Sequence, residues 1–240
     1  MHVNTSTNIE SNQTSKNLSI IPSLICTDLC NLEQEVRNIE ALGCKMIHVD
    51  IIDGNFSPSM PIGLDTIKQV RKKTSMDFDV HLMVLNNEFF IRQMIDIGAK
   101  RICFHVENER HINQLLTLIK SSGVEAGVAL SPATPISVLE YVIEQCDFVL
   151  LMGINPGYAS FSGEEKVSFI RRKIVDCSEL IKKYQLKTTI TIDGRVSFDD
   201  LLSYAQEGVK TFVGGSSSLF HPLMTFEENW KKANEILSHF

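Results

Sequence analysis

Four side chains in this sequence, His48, Asp50, His81 and Asp193, have the types and the setting of a divalent-metal site. In Met46–Gly54, MIHVDIIDG, the period-two alternation of a strand turns His48, Asp50 and Ile52 to one face and Val49 and Ile51 to the other. Apolar residues flank the polar face, so its imidazole and carboxylate must be paired, hydrogen-bonded or metal-bound to offset their desolvation. Phe78–Val84, FDVHLMV, sets His81 and Met83 together by the same alternation, and Asp193 ends an apolar strand within Thr191–Gly194, TIDG. Two nitrogen and two oxygen ligands from three strand ends suit one divalent ion: zinc, iron, manganese or cobalt. A lone strand histidine is more often a satisfied core residue. Four such groups at one barrel mouth would each need a separate buried partner, which favours the metal.

A second constellation carries glycine. Asn155-Pro156-Gly157, Asp193-Gly194-Arg195 and Gly214-Gly215-Ser216 follow the last three strand candidates. There, backbone N–H groups and a following helix N-terminus would favour an anion, and a phosphate is expected. His105 and Glu107 stand at another strand end. Nothing in the sequence ties them to the ligand set, so a structural or supporting role is expected.

The elements that must hold these residues alternate between strand-like apolar runs and amphipathic helical ones, the pattern of βα units on a parallel sheet. Eight strand candidates are Leu18–Leu24, Lys45–Ile51, Phe78–Val84, Arg101–Val106, Ala126–Leu130, Phe148–Met152, Thr188–Ile192 and Thr211–Val213. Helical candidates lie between them at Leu32–Leu42, Leu64–Lys73, Asn87–Ile97, Ile112–Ser121, Ile136–Glu144, Glu164–Tyr184 and Phe198–Glu207, with a last pair after Ser218. Gly43, Gly98, Gly123 and Gly208 fall where helices should stop. The sequence thus predicts one (β/α)₈ barrel domain over residues 18–240, preceded by a loose polar tail over residues 1–17. A doubly wound open sheet is the runner-up, disfavoured because no GxGxxG follows the first strand and the polar residues recur at many strand ends.

Composition is that of an ordinary soluble protein, 43% apolar and 22% charged, and a net charge of −6 argues against a broad nucleic-acid or anionic-membrane surface. No apolar run nears the ~20 residues that span a bilayer, and no secretory pattern opens the chain. Cys26, Cys30, Cys44, Cys103, Cys146 and Cys177 lack CxxC spacing and read as reduced packing residues, which fits a cytoplasmic protein. Cys26 is the candidate for a thiol near the site.

The strings SLICTDL, HVDIIDG, HLMV, FHVEN, INPGY, TIDGRV and GGSSSLF, in this order and spacing over Ser19–Phe220, resemble the ribulose-phosphate 3-epimerase family. The resemblance implies a TIM barrel of the ribulose-phosphate binding type and an isomerase of carbohydrate metabolism. It would interconvert D-ribulose 5-phosphate and D-xylulose 5-phosphate in the pentose phosphate pathway, using a divalent metal on His48, Asp50, His81 and Asp193. By the same resemblance Asp50 and Asp193 are the acid/base pair on opposite faces of carbon 3, and Ser23 is a substrate hydrogen-bond donor. Met83 and Met152, with His81, line the site; Gly157, Gly194, Gly215 and Ser216 fall on phosphate-binding positions. A homo-oligomer, dimer or hexamer, is also implied. The chemistry suits the residues: a proton beside a ketone is weakly acidic, a metal stabilises the enediolate, and inversion needs a second acid on the opposite face.

The chain departs from the family in three places. PGYASFSG stands where the family usually has PGFGGQ, so Ala159, Ser160 and Phe161 replace two glycines and a glutamine, and the phosphate nest is expected to change. DGR replaces DGG, which puts Arg195 at the same corner as a candidate phosphate ligand. Ile52 replaces a common methionine, with a small effect expected. The PSLICTDL and SSSLF segments look closer to the D-allulose-6-phosphate 3-epimerase branch, which makes D-allulose 6-phosphate and D-fructose 6-phosphate the alternative substrates. A decarboxylase or aldolase would need a strand-end lysine, and none is evident. A non-catalytic sugar-phosphate-binding protein is a third reading, although mere binding has no need of two acid/base carboxylates.

Overall fold

The computed structural model describes residues 18–158 and 163–240. The polar tail and Ala159, Ser160 and Phe161 of the altered loop lie outside the described residues. Eight strands, β1 (Ser19–Pro22), β2 (Met46–Ile52), β3 (Asp77–Met83), β4 (Arg101–His105), β5 (Glu125–Leu130), β6 (Phe148–Met152), β7 (Thr189–Asp193) and β8 (Val209–Gly214), pair in parallel in the order β1-β8-β7-β6-β5-β4-β3-β2. Around them run α1 (Leu32–Ala41), α2 (Leu64–Arg71), α3 (Asn87–Ile97), α4 (Ile112–Ser121), α5 (Ile170–Lys183), α6 (Phe198–Glu207) and α7 (Phe226–Ser238). This is the expected (β/α)₈ TIM barrel. Its seam between β1 and β2 is closed by a parallel bridge from Ser23 to His48, so the barrel shuts on a site residue.

Strand alternation sorts the side chains as the patterns predict. Ile47, Val49 and Ile51 of β2 and Ile102 and Phe104 of β4 pack outward against the helices in the main core. The lumen holds a smaller apolar cluster of Cys103, Ala129, Phe148, Leu150, Met152 and Ile154, beside the inward-facing polar groups. Gly127 makes room for this filling, since a Cβ there would meet the Phe148 ring at 2.6 Å. Gly98 and Gly208 end α3 and α6 in the left-handed conformation, with φ of 89° and 116°. Among the described residues, no helix is long and apolar enough to cross a membrane.

Three helical expectations differ from the structure. Ile136–Glu144 forms two short 3₁₀ turns, Ile136–Leu139 and Ile143–Gln145. Pro135 sits at the start and Ile136, Val138, Val142 and Ile143 are β-branched, so an α-helix has little local support. The helix expected from Glu164 begins at Ile170, because the polar groups before it serve neighbouring loops. The Glu164 carboxylate accepts from the Asn155 backbone N–H and side-chain amide, both at 2.8 Å, and Val167 N–H donates to Gly153 O at 2.9 Å. After Ser218 one helix forms rather than two. Asn229 of α7 donates its amide to the carbonyls of Leu219 and His221, at 3.2 and 3.1 Å, and pins the preceding segment as turns.

Candidate active site

Register sets the site. β2 and β3 pair with His48 beside Asp79 and Asp50 beside His81, while β3 and β4 pair with Asp79 beside Arg101. Because inward residues alternate, the lumen acquires two polar tiers. The lower tier holds His48, Asp79, Arg101 and Thr191; the upper one, at the carboxyl ends of the strands, holds Asp50, His81, His105 and Asp193.

Where the tiers meet, one ligand atom each from His48, Asp50, His81 and Asp193 lies within 4.8 Å of the other three. His48 Nε2 is 3.2 Å from Asp50 Oδ1 and 3.7 Å from Asp193 Oδ2. His81 Nδ1 is 3.3 Å and 3.6 Å from the same two oxygens. His48 Nε2 is buried and has no hydrogen-bond partner, which a native interior rarely leaves unexplained. An orphan imidazole nitrogen aimed at two carboxylates fits the donor set of a divalent ion. Ser23 Oγ donates to Asp50 Oδ2 at 2.9 Å and orients that carboxylate.

Each histidine is fixed from behind by a different device. His48 Nδ1 donates to Asp79 Oδ2 at 2.7 Å, and Asp79 Oδ1 accepts from Arg101 Nε at 2.5 Å. Arg101 also donates to Thr191 Oγ1 at 2.6 Å, and its guanidinium lies 3.9 Å from the Phe148 ring centroid. His81 Nε2 lies 2.9 Å from His105 Nε2, and His105 Nδ1 lies 2.9 Å from Glu107 Oε2. The sequence reading missed Asp79, Arg101 and Thr191, and it left His105 unattached to the ligands. The available signal was alternation: Asp79 precedes His81 by two on an inward face, and Arg101 and His105 flank Cys103 in the same way.

These contacts set the charges. Burial alone would lower His48, but the nearby Asp50 carboxylate and the hydrogen bond to Asp79 hold it well above the usual 6.5. His81 is raised too, its bonds to Asp193 and Asp50 outweighing burial. Asp50, which burial would raise, is held below the carboxylate range by the His48 charge and by bonds from both histidines. Asp79 is likewise lowered, chiefly by Arg101 against burial. Burial carries His105 the other way, down to about 4, while Glu107, despite its own burial, is drawn down to about 2 by its bond with His105. Cys26 is pushed up to about 12 by burial and by Asp50, so at neutral pH it is a protonated thiol.

The cleft above the cluster is lined by Ser23, Cys26, Ile52, Met83, Met152, Gly157, Gly194, Arg195, Gly215 and Ser216, together with Asp50 and Asp193. Every described residue that the sequence assigned to metal or substrate meets there or in the cluster beneath. Gly194 needs its lack of side chain: its φ is 96° and a Cβ would meet Ile154 Cγ1 at 2.7 Å. Arg195 adopts φ 55°; its Nη1 donates to Ser216 Oγ at 3.1 Å and its Nε to Glu164 O at 3.2 Å. The corner is made of turns, since the next helix after Gly215 begins only at Phe226.

Residues 19–220 match the model of the Ribulose-phosphate 3 epimerase family. The ribulose-phosphate 3-epimerase of Helicobacter pylori J99 is 33% identical over 199 residues, 83% of this chain and 89% of that one. That of Bacillus subtilis 168 is 33% identical over 83% of this chain and 91% of its own length. The chloroplastic ribulose-5-phosphate-3-epimerase of Arabidopsis thaliana is 33% identical, over 82% of this chain and 70% of the relative. Among solved structures, 3-hexulose-6-phosphate synthase from Salmonella typhimurium superposes with a TM-score of 0.66 at 14% identity, over 92% of this chain and 98% of that one. Orotidine 5'-phosphate decarboxylase from Pyrococcus horikoshii OT3 does so at 0.63 and 14% identity, over 91% and 99%. At that identity these two share the fold alone.

Proposed function

The chain belongs to the ribulose-phosphate 3-epimerase family, and on that premise we propose that it interconverts D-ribulose 5-phosphate and D-xylulose 5-phosphate by two-base proton transfer at carbon 3. The observation that carries this reading is the convergence of Asp50 and Asp193, from the non-adjacent strands β2 and β7, on one point beneath the cleft. Inversion requires a proton to leave one face and arrive on the other, and two separate carboxylates meet that need. One acts as base and the other as acid, and the roles exchange for the reverse reaction.

The four ligands fit one divalent ion, which when bound would supply Lewis-acid stabilisation of the negative charge developing at the ketone oxygen. Asp50, ionised and oriented by Ser23, is ready to accept the carbon-bound proton. Asp193 is the more exposed of the two carboxylates, with 16% of its side chain accessible against 5% for Asp50, and so exchanges its proton with solvent more readily. Ile52, Met83 and Met152 exclude water from the carbanionic centre. The phosphate sits over Gly157, Gly194, Gly215 and Ser216, and the Arg195 guanidinium contributes a charge-assisted contact there.

The test is proton NMR of the metal-loaded protein with D-ribulose 5-phosphate and D-allulose 6-phosphate in parallel. Appearance of D-xylulose 5-phosphate, faster than any conversion of the hexulose, is expected. Preferential turnover of the hexulose would move the substrate to the six-carbon branch. Saturable binding of either sugar with no epimer formed would replace the enzyme by a sugar-phosphate-binding protein.

A further inference from the structure

The His81–His105–Glu107 chain ends in a group that can only accept. Glu107 Oε1 accepts from Ser131 N–H at 2.6 Å and from Thr134 Oγ1 at 2.5 Å, so Glu107 is held as a carboxylate by the loop after β5. Its Oε2, 2.9 Å from His105 Nδ1, has no proton to give. A ring lone pair pointed at a carboxylate oxygen at that distance would be repelled, so the His105 proton sits on Nδ1. His105 is wholly buried, with its ring 4.7 Å from that of Phe56, a setting that favours the neutral imidazole. Its Nε2 is then a lone pair.

That lone pair faces His81 Nε2 at 2.9 Å, and a short contact between two ring nitrogens needs one proton between them. His81 must supply it. With its proton on Nε2, neutral His81 keeps its free lone pair on Nδ1, the nitrogen that faces Asp50 and Asp193. We propose that Glu107 and His105 are positioning residues: acting across two imidazoles, they fix the tautomer of His81 so that Nδ1 is its metal-ligating nitrogen. His48, backed by Asp79 on Nδ1, presents Nε2 instead. The two ligand histidines therefore bind through opposite ring nitrogens because their supports stand on opposite sides.

The inference rests on the metal reading above, and Glu107→Gln tests it. The side-chain oxygen of the glutamine is required at Ser131 N–H, which turns its NH₂ toward His105 Nδ1. The amide then donates where the carboxylate accepted. His105 is driven to the Nε2–H form, His81 to Nδ1–H, and the nitrogen meant for the metal is blocked. Long-range ¹H–¹⁵N spectra of the imidazoles in the full chain, recorded without metal and with zinc at a pH above the raised His81 titration so that the ring is neutral, read the tautomers, and chelator competition reads zinc affinity. Wild type is expected to show His105 as Nδ1–H and His81 as Nε2–H with a zinc-shifted Nδ1. Glu107→Gln is expected to invert both tautomers in the metal-free chain and to weaken zinc binding by about 10- to 100-fold. Thr134→Val, which removes a bond to Oε1 but leaves Oε2 facing His105, is expected to keep both tautomers and stay within about threefold of wild-type affinity. Unchanged tautomers and affinity in Glu107→Gln would overturn the inference while leaving the metal site standing. A wild-type chain that takes up no zinc would remove the metal reading and this inference with it.

Discussion

The ligand cluster and the phosphate corner share one cleft but are built in opposite ways. His48, Asp50 and His81 are almost wholly buried on paired strands, and each has its own support, in Asp79, Ser23 and His105. The corner is made of backbone and turns: Gly157, Gly194 and Arg195 have positive φ, and its polar side chains, Arg195 and Ser216, bond to each other near solvent. Strand register fixes the first region, whereas local backbone conformation shapes the second. A change in the cluster should therefore strike the chemical step, and a change at the corner should strike binding.

The largest effect is expected from Asp50→Asn and Asp193→Asn, each of which removes an acid/base carboxylate without changing its size. Both should lower kcat by about 10²- to 10⁴-fold, the usual contribution of a positioned acid or base. Steady-state kinetics on metal-saturated protein would break the contrast if either variant kept kcat within tenfold of wild type.

Next is Asp79→Asn, which touches no substrate. It leaves Arg101 buried without its counter-charge and His48 without its acceptor. Breaking a buried pair costs about 3–5 kcal/mol, and losing a ligand's support weakens metal binding by about 10- to 100-fold. Denaturant unfolding and chelator competition measure the two losses separately. A variant near wild type in both would show that the lower tier is filler.

Metal uptake should depend on pH in a fixed direction. In the metal-free cluster His48 and His81 are raised above 6.5, so near neutral pH they hold protons that a metal must displace. Their protons stabilise the metal-free fold below the unfolded value, and that stability is lost as pH rises through the raised values. Calorimetry in buffers of different ionisation enthalpy should detect net proton release on metal binding, with affinity rising with pH. Proton-neutral binding would contradict the charges assigned to the cluster.

The smallest effect is at the corner. Arg195→Gly should raise KM for the phosphorylated substrate about fivefold, as fits a half-exposed contact on the order of 1 kcal/mol, and leave kcat nearly unchanged. Glycine accepts the φ of 55° at this position without strain. The melting temperature should therefore hold, and an unchanged KM would take Arg195 out of substrate binding.

The same division governs what was legible in the sequence. Alternation alone turned His48, Asp50, His81 and Asp193 inward, because the side-chain period of a strand is a local property. The helix C-terminal glycines at 98 and 208 could be read for the same reason. What alternation could not give was which inward residues meet. Asp79 finds Arg101, and His81 finds His105, only once the barrel sets neighbouring strands in register. Arg101 bonding Thr191 across 90 residues is wholly a consequence of closure. The helix expected from Glu164 was lost to the same cause, since Glu164, Lys166 and Val167 spend their polar groups on Asn155, Asp200 and Gly153 rather than on a first helical turn.

The claim that two carboxylates act from opposite faces is tested most directly by a first-turnover experiment. Metal-loaded protein is mixed in D₂O with D-ribulose 5-phosphate bearing protium at carbon 3, and product and residual substrate are read separately by proton NMR. Two bases predict D-xylulose 5-phosphate that carries solvent deuterium at carbon 3 from the first turnover, while the remaining substrate still holds protium. Product that retains the substrate's own protium would mean one group carrying the proton from face to face, and would contradict the assignment of Asp50 and Asp193 as a pair.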